Sequence, residues 1–583
     1  MPVGRWWCSV VLGTLAITPL AAQSTPAGPG DDLMTHVAAR PDDSQILVQG
    51  RDQKPTGWKR AETDHVVVFS DGSEAELVRV IGNLERLHAL MSRLYGAAGQ
   101  MEGAPKLQIT LFDSPKDLED LGLHNLRSQE GPFAGSFADQ RYYDPRADGE
   151  VIAIARSDQH IDLNTNLARN RFCDEQAAEG LDCIGQENPA PPPIVRPWEA
   201  VLYSAFAQHF ILSNAPAAYP RWYLDGIGAL FSTINVKGNG SVAYADAPEF
   251  YKQVFYAYGD VNARDVLTGQ YLTSPSRNMN WTPYHAWLIT HFFVFSNPKP
   301  ALRAQFVQYM AAVARGAPLA EAASVFGDLG ELNRELEGYA AREKSFATAK
   351  RSDVPEQAPL VTLLSPAQVT VLKARIRLGD LPPVDAAGVG NGSEAAPWVD
   401  QVRGAVRQMP FDAEASLVTA EAECREGHPR ECLADAEGVL ARSPESARAL
   451  AWKGVALTEQ ALAGPSGARA DALAAARGTI AHALEIDPRD PVAAIAYFQS
   501  FAKAGEQVPE PAMASLAKVA ASVPAAPRPR LLLGEELLRQ GKGDLAQRLL
   551  KPVLYGAYDS PEKRAAQALF SRSASAAQPA ILK

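Results

Sequence analysis

The spacing of apolar residues changes several times along the chain, and the changes divide it. HVVVFS (65–70), LQITLF (107–112) and EVIAIAR (150–156) alternate or run as short apolar blocks bounded by polar residues, which predicts strands. Between the first two, DGSEAELVRVIGNLERLHALMSRLYG (71–96) places its apolar residues at helical spacing. The folded chain thus opens, from Trp58, as a strand–helix–strand–strand layer. RFCDEQAAEGLDCIGQENPAPPPIVRP (171–197) then reads as a long loop stiffened by prolines. From Trp198 to about Ala347 the pattern is almost wholly helical. Residues 346–400 form a linker region, with linker composition at 346–358 and 383–397 and a short mixed segment between.

From 401 to 583 the composition turns to Ala, Leu, Glu and Arg, with helix-length apolar faces and short polar turns. ARSPESARAL, EIDPRDPVAA, ASVPAAPRPR and SPEKRAAQAL have a common shape. Their prolines, Pro444, Pro488, Pro524 and Pro561, are 44, 36 and 37 positions apart. A proline between two helices costs nothing there, because the first helical N–H has no partner anyway. The spacing resembles tetratricopeptide repeats of about 34 residues, with the plain helical bundle as the alternative. The longer first interval is assigned to an insert, AGPSGARAD (463–471), between two helices of one repeat.

The N-terminus has one charge, Arg5, before the apolar run WWCSVVLGTLAITPLAA and a small-residue site at Ala21–Ala22, the layout of a secretory signal peptide over 1–22. A membrane anchor is the rival, but the run is short and Pro19 interrupts it. A polar flexible tail follows over 23–57. The expected location is periplasmic or secreted, with no membrane span after cleavage. Cysteine usage agrees: apart from Cys8, the cysteines form two close pairs, Cys173 with Cys183 and Cys424 with Cys432. Even pairs in an oxidising compartment favour disulfides. Zinc binding is disfavoured, since neither pair is CxxC and His428 alone lies between Cys424 and Cys432. The net charge of -11 excludes general nucleic-acid binding, which needs a basic face.

The chemistry question lies in YSAFAQHF (203–210) and PRWYLDGIGALF (220–231). Together with HVVVFS, GPFAGSF (131–137), YHAWLITHFF (284–293) and VFGDLGELNRELEGYAAR (325–342), they carry a resemblance over roughly 58–345 to the secreted bacterial peptidase MA-like family, a gluzincin type whose members include chains with tetratricopeptide-type repeats. The resemblance implies an α+β zincin-like N-terminal domain, followed here by an all-α tetratricopeptide-like helical repeat domain. In that family an HExxH-like run supplies two zinc ligands and a general base, and a Trp–x–x–Glu–Gly turn supplies a third ligand. Anchored on Trp222 to Gly226, the matching positions are Ser204 and Ala205 for the first histidine and the base, Gln208 for the second histidine, and Asp225 for the ligand glutamate. A register shifted by one makes His209 the second histidine. Either register lacks the base, and no HExxH occurs among the ten histidines.

A methyl group cannot take a proton, and general-base help is worth about 10²–10⁴-fold. These positions are therefore vestigial, with no cofactor, no metal and no catalytic residue expected. His209 reads as a satisfied, partly buried histidine, and Tyr284 and His285 as packing residues. Ser204 is off the helical face of His209, which removes it as a nucleophile. RYYDPRADGE (141–150), with Asp144, Asp148 and Glu150, reads as a solvated hairpin loop. The implied function is binding or scaffolding in the cell envelope, with a protein or peptide partner held by the repeats. A zinc-dependent metallopeptidase with atypical ligands is the alternative.

Overall fold

The computed structural model describes residues 56–95, 105–123, 141–161, 194–214, 217–237, 240–248, 262–272, 282–296, 298–342, 347–349, 358–380, 397–557 and 560–577. The signal peptide, nearly all of the tail, GPFAGSF and the Cys173–Cys183 pair lie outside them. The described residues fall in one compact unit, Pro55–Lys583. No helix among them is long and apolar enough to cross a membrane.

The main sheet has six strands: β1 Lys59–Glu62, β2 Val66–Ser70, β3 Leu107–Phe112, β4 Arg141–Asp144, β5 Val151–Ala155 and, after a two-stranded ribbon (β6 Gln159–Ile161, β7 Ile194–Arg196) and a small sheet (β8 Asn235–Val236, β9 Val242–Tyr244, β10 Ala347–Ala349), β11 Leu360–Leu363. Its order is β11-β1-β2-β3-β5-β4. Strands β2, β3 and β5 run parallel, and the others add antiparallel at the two sides. The strand–helix–strand–strand layer predicted from period is present. The crossover helix α1 Glu74–Tyr95 buries Leu77, Val80, Ile81, Leu84, Leu87, Leu90 and Met91, a stripe at helical spacing. The Ser73 hydroxyl accepts from the Glu76 N–H at its start.

Every residue of β5 is buried, as expected for a strand covered on both faces. On one face Ile109, Leu111, Ile152 and Ile154 meet α1 and the later helices α3 Trp198–Asn214 and α4 Arg221–Ser232. On the other, Phe112, Val151 and Ala153 meet Leu118 of α2 Pro115–Glu119 and Ile376. Behind α4 lie α5 Ala263–Leu267, α6 Thr282–Phe295, α7 Pro300–Ala314, α8 Leu319–Ala323 and α9 Leu329–Ala340.

Ile376 belongs to α10 Pro366–Asp380, and this corrects the reading of 346–400 as linker. The mixed segment inside it supplies β11, which pairs with β1, and α10, which covers the sheet. Its other side starts the helical array: Val371, Ala374 and Leu378 pack with Val399 and Val402 of α11 Pro397–Val406 and with Ala415 and Val418 of α12 Ala413–Arg425. Helix pairs then follow: α12 with α13 Pro429–Leu440, α14 Ala447–Ala463 with α15 Ser466–Ile486, α16 Pro491–Ala502 with α17 Glu510–Ser522, α18 Pro527–Arg539 with α19 Gly543–Leu554, and a last helix α20 Pro561–Ala577. Pro444, Pro488 and Pro524 fall between pairs and Pro561 opens α20, as the repeat spacing predicted. Two of the pairs use glycine for close approach. A Cβ on Gly454 would lie 2.1 Å from Ile480, and one on Gly534 would lie 2.4 Å from Leu550. The insert 463–471 is not a loop. Apart from the Gly464–Pro465 turn it lengthens α15, because its alanines and arginine are good helix formers.

The Cys424–Cys432 disulfide is present and joins α12 to α13, with Cα atoms 5.2 Å apart. His428 between the two cysteines is not a solvated turn residue: its Nδ1 is 3.1 Å from Glu423, which also receives Arg403. Replacing both cysteines by serine is expected to cost about 2.5 kcal/mol, the chain entropy released by opening a loop of this length. Denaturant unfolding, with and without reductant, measures it; the variant should match the reduced natural chain.

The largest departure from the sequence reading is RYYDPRADGE. It is not a solvated loop. β4 pairs antiparallel with β5, and the hairpin between them is buried. With period two, Tyr142 and Asp144 face Gly379 of α10, where an added Cβ would lie 2.4 Å from the Tyr142 hydroxyl. Arg146 bonds Asp144 at 2.7 Å and lies 3.7 Å from Asp148 and 3.9 Å from Glu421 of α12. Asp148 reaches Arg375 of α10 at 3.5 Å and Arg448 of α14 at 3.6 Å. Arg425 pairs with Glu421 at 3.0 Å, and Arg448 pairs with Asp490, the N-cap of α16, at 2.7 Å. Four arginines (146, 375, 425, 448) thus meet four carboxylates (144, 148, 421, 490). The hairpin plugs into the first helices of successive pairs.

Candidate functional site

The same hairpin turns its other side to α3. Helix α3 is buried all round from Val201 to Ile211, so its polar side chains must find partners inside. Helix α4 crosses it closely because position 228 is glycine: a Cβ there would lie 2.5 Å from the Ser204 Oγ and 2.9 Å from the Gln208 Nε2. This contact brings Ser204, Gln208 and Asp225, which the resemblance aligns with metal ligands, to one place.

What they form there is a polar contact among side chains. The buried Arg141 guanidinium of β4 donates to Gln208 Oε1. Gln208 Nε2 in turn is 3.4 Å from Asp225 Oδ1, and Asp225 Oδ2 is 3.6 Å from Arg221. The amide of Gln208 is held between a cation and a carboxylate. A guanidinium approaches the spot where a zinc site needs a cation of its own. Ser204 and Ala205 are buried beside it and bring neither an imidazole nor a carboxylate of their own. This donor set does not fit a catalytic zinc, which takes three nitrogen, sulfur or carboxylate ligands.

His209 points elsewhere. Its Nδ1 lies 3.4 Å from the Tyr143 hydroxyl and 3.4 Å from the Ser213 hydroxyl, and Ser213 is 3.3 Å from Glu150 Oε1. The carboxylate thus sits on the serine rather than on the histidine. A serine nucleophile needs the reverse order, with the acid orienting the base. Burial pushes His209 down to about 3, with nearby His88 adding to the shift, and pushes Glu150 up to about 7. His209 is therefore neutral near pH 7, while Glu150 is about half protonated there and its hydrogen bond goes to Ser213. His285 is likewise buried on α6, which pushes it down to about 4, and Tyr284 is outside the residues with described side chains. His291, in the same helix, is fully satisfied between the Tyr339 hydroxyl at 2.7 Å and the Ala245 carbonyl at 3.1 Å.

The His209 shift gives a pH prediction. Its folded value lies below the ordinary 6.5, so the unfolded chain takes the proton first. The contribution is intact above 6.5 and is lost as pH falls toward 3. In His209→Phe that part of the acid loss disappears. The slope of unfolding free energy between about pH 6 and 4 should flatten by up to about 1.4 kcal/mol per pH unit. Urea titrations at several pH values test this; an unchanged slope would mean that His209 is charged in the folded state.

Among the described residues, three ligand-type side chains approach one another at one place, His65 just before β2 and Glu85 and His88 on α1. Sequence reasoning passed over them, although Glu85 and His88 are one helical turn apart, because His65 joins them only through the fold.

No family model matches the chain, and no curated protein matches it. Among solved structures it is similar to a thermophilic TPR protein of Thermus thermophilus, at 21% identity over 36% of this chain and 98% of that one, with a TM-score of 0.28. It is also similar to MamA, at 15% identity over 30% of this chain and 90% of that one, with a TM-score of 0.20. The account of the helical array rests on its own helix pairs, prolines and glycine contacts.

Proposed function

We propose that the chain is an exported, non-catalytic binding or scaffold protein of the cell envelope, built from a degenerate zincin-like domain and tetratricopeptide-like repeats that recognise a protein or peptide partner. The observation that carries this reading is the contact of Arg141 with Gln208, and of Gln208 with Asp225, the last two at positions aligned with metal ligands. Among the described residues it gathers no zinc-type ligand set at these positions, while α3 and α4 keep their crossing.

Helix-pair arrays suit protein partners because stacked hairpins present an extended surface. Here part of that surface is taken internally. The β4–β5 hairpin engages α10, α12 and α14, and a Cβ on Gly316, after α7, would lie 2.4 Å from the Tyr555 ring after α19. The array is thus fastened to the first part, and a partner must use what those contacts leave open. Cutting the chain at 400 would strand Arg146 and Asp148, so the test uses the full chain.

Two measurements decide. Immobilised full chain should capture a partner from envelope extract saturably, with free chain competing. Peptide hydrolysis should be absent with zinc added. Zinc-dependent hydrolysis that disappears in His209→Ala would overturn the proposal in favour of a peptidase, and so would failure to capture any competable partner.

A further inference from the structure

We propose that His65, Glu85 and His88 form a binding site for a divalent transition-metal ion of the zinc class, separate from the Gln208–Asp225 contact. His65 stands immediately before β2, and Glu85 and His88 lie three residues apart on one face of α1. Each offers one ligand atom, and the three atoms lie within 4.8 Å of one another. His65 Nδ1 is 2.6 Å from Glu85 Oε2, and the His65 backbone N–H donates to Glu85 Oε1 at 3.1 Å. The carboxylate is thus fixed from one side by the chain that carries the first imidazole. Outer contacts of this kind hold metal ligands in place.

The second imidazole supplies an independent observation. His88 Nε2 is buried with no hydrogen-bond partner among the described residues. Its ring stacks on His65 at 3.7 Å and meets Phe210 edge-on at 5.3 Å, so aromatic neighbours hold it without satisfying that nitrogen. Two ligand atoms in tetrahedral array on one zinc ion, each about 2.0–2.2 Å from it, lie about 3.3–3.6 Å apart. A small turn of either ring closes the remaining gap. Two imidazoles and one carboxylate select zinc and its transition-metal neighbours over magnesium or calcium. Three protein ligands leave a fourth position for water or for a donor from outside. The His65 side chain is 31% exposed, which gives the ion a way in. Bound there, the ion would tie the start of β2 to the middle of α1.

The test is zinc titration of chelator-stripped, tag-free full chain by calorimetry, with a thermal melt alongside. One zinc per chain and a raised Tm are expected. Glu85→Gln, and His65→Gln with His88→Gln, should each weaken binding by about 100-fold or more, while His209→Phe binds as the natural chain does. His65→Gln alone, at a part-exposed position, keeps the test usable if the double variant fails to fold, and should also weaken binding. No saturable binding up to millimolar zinc would overturn the proposal. So would equal affinity in folded ligand variants, or loss of binding in His209→Phe alone. None of these outcomes depends on whether a partner is captured or a peptide is cut.

Discussion

Asp148→Asn is expected to lose about 3–5 kcal/mol of stability at neutral pH, the usual cost of leaving a buried charge without its counter-ion. The side chain keeps its size, so packing changes little. What changes is the balance of four arginines and four carboxylates. Asp148 lies within 3.7 Å of Arg146, 3.5 Å of Arg375 and 3.6 Å of Arg448, and its own side chain is 11% exposed. Burial alone would push its carboxyl up. The charges of Arg146, Arg375 and Arg448 outweigh that and hold it well below the ordinary carboxylate range. Because the folded value is lowered, the stabilisation is complete above about 4 and is lost as pH falls below it. The variant should therefore be less stable at pH 7 and should show a shallower acid limb below pH 4. Adding Arg375→Met restores balance at three charges of each sign, so the double variant should lose less than the sum of the two singles. Strict additivity in chemical denaturation would show that charge balance is not what holds the hairpin.

The position of that network explains what the sequence concealed. Asp144, Arg146 and Asp148 sit in a short run with Pro145 and Gly149, which has the composition of a surface turn. Their partners Arg375, Glu421 and Arg448 are more than 200 residues away, and each of those reads as one charge on a helix face. Burial of charge follows from contact between distant segments and leaves no local mark. The linker reading of 346–400 failed for a related reason. β11 is four residues long and mostly exposed, so it has almost no pattern of its own. By contrast β2 and α1 bury a face each, which is written in their period, and β3 and β5 show as short apolar runs because they are buried nearly throughout. The prolines between helix pairs were legible because a missing N–H is a local property.

The site divides in the same way. Which residues stand at 204, 205, 208 and 225 is plain from the sequence, and so is the want of a base. That Gln208 is held by Arg141 was not legible, because β4 lies in a run with the composition of a loop. This matters beyond bookkeeping, since β4 alternates between two tasks. Arg141 and Tyr143 face α3, while Tyr142 and Asp144 face α10. A disturbance of the array that moves the hairpin therefore reaches Gln208 and His209 through one short strand. In Asp148→Asn the tyrosine and histidine signals of that contact should shift along with the loss of stability.

Gly226→Ala should be the costliest single methyl added to the N-terminal part, at about 3 kcal/mol, and it tests the packing of α4 on α6, behind the site. A Cβ at 226 would lie 2.1 Å from Thr290 Oγ1 and 2.6 Å from the Ala286 carbonyl oxygen of α6. The hydroxyl can rotate away, but the carbonyl is backbone in the middle of a helix. Helices α4 and α6 must separate, and overpacking of this sort costs about 1–3 kcal/mol or more. Alanine's better helix propensity returns about 1 kcal/mol at most. The control is Gly478→Ala in α15, where nothing lies within 4 Å of the added atom. There the propensity gain is unopposed, and stability should rise by about 0.5–1 kcal/mol. Thr290→Ala in the Gly226→Ala background removes one of the two clashes and should recover part of the loss. If Gly226→Ala instead melts with the natural chain, α4 is free to move off α6. The close approach that also sets Gly228 against Ser204 and Gln208 would then no longer explain why those side chains meet.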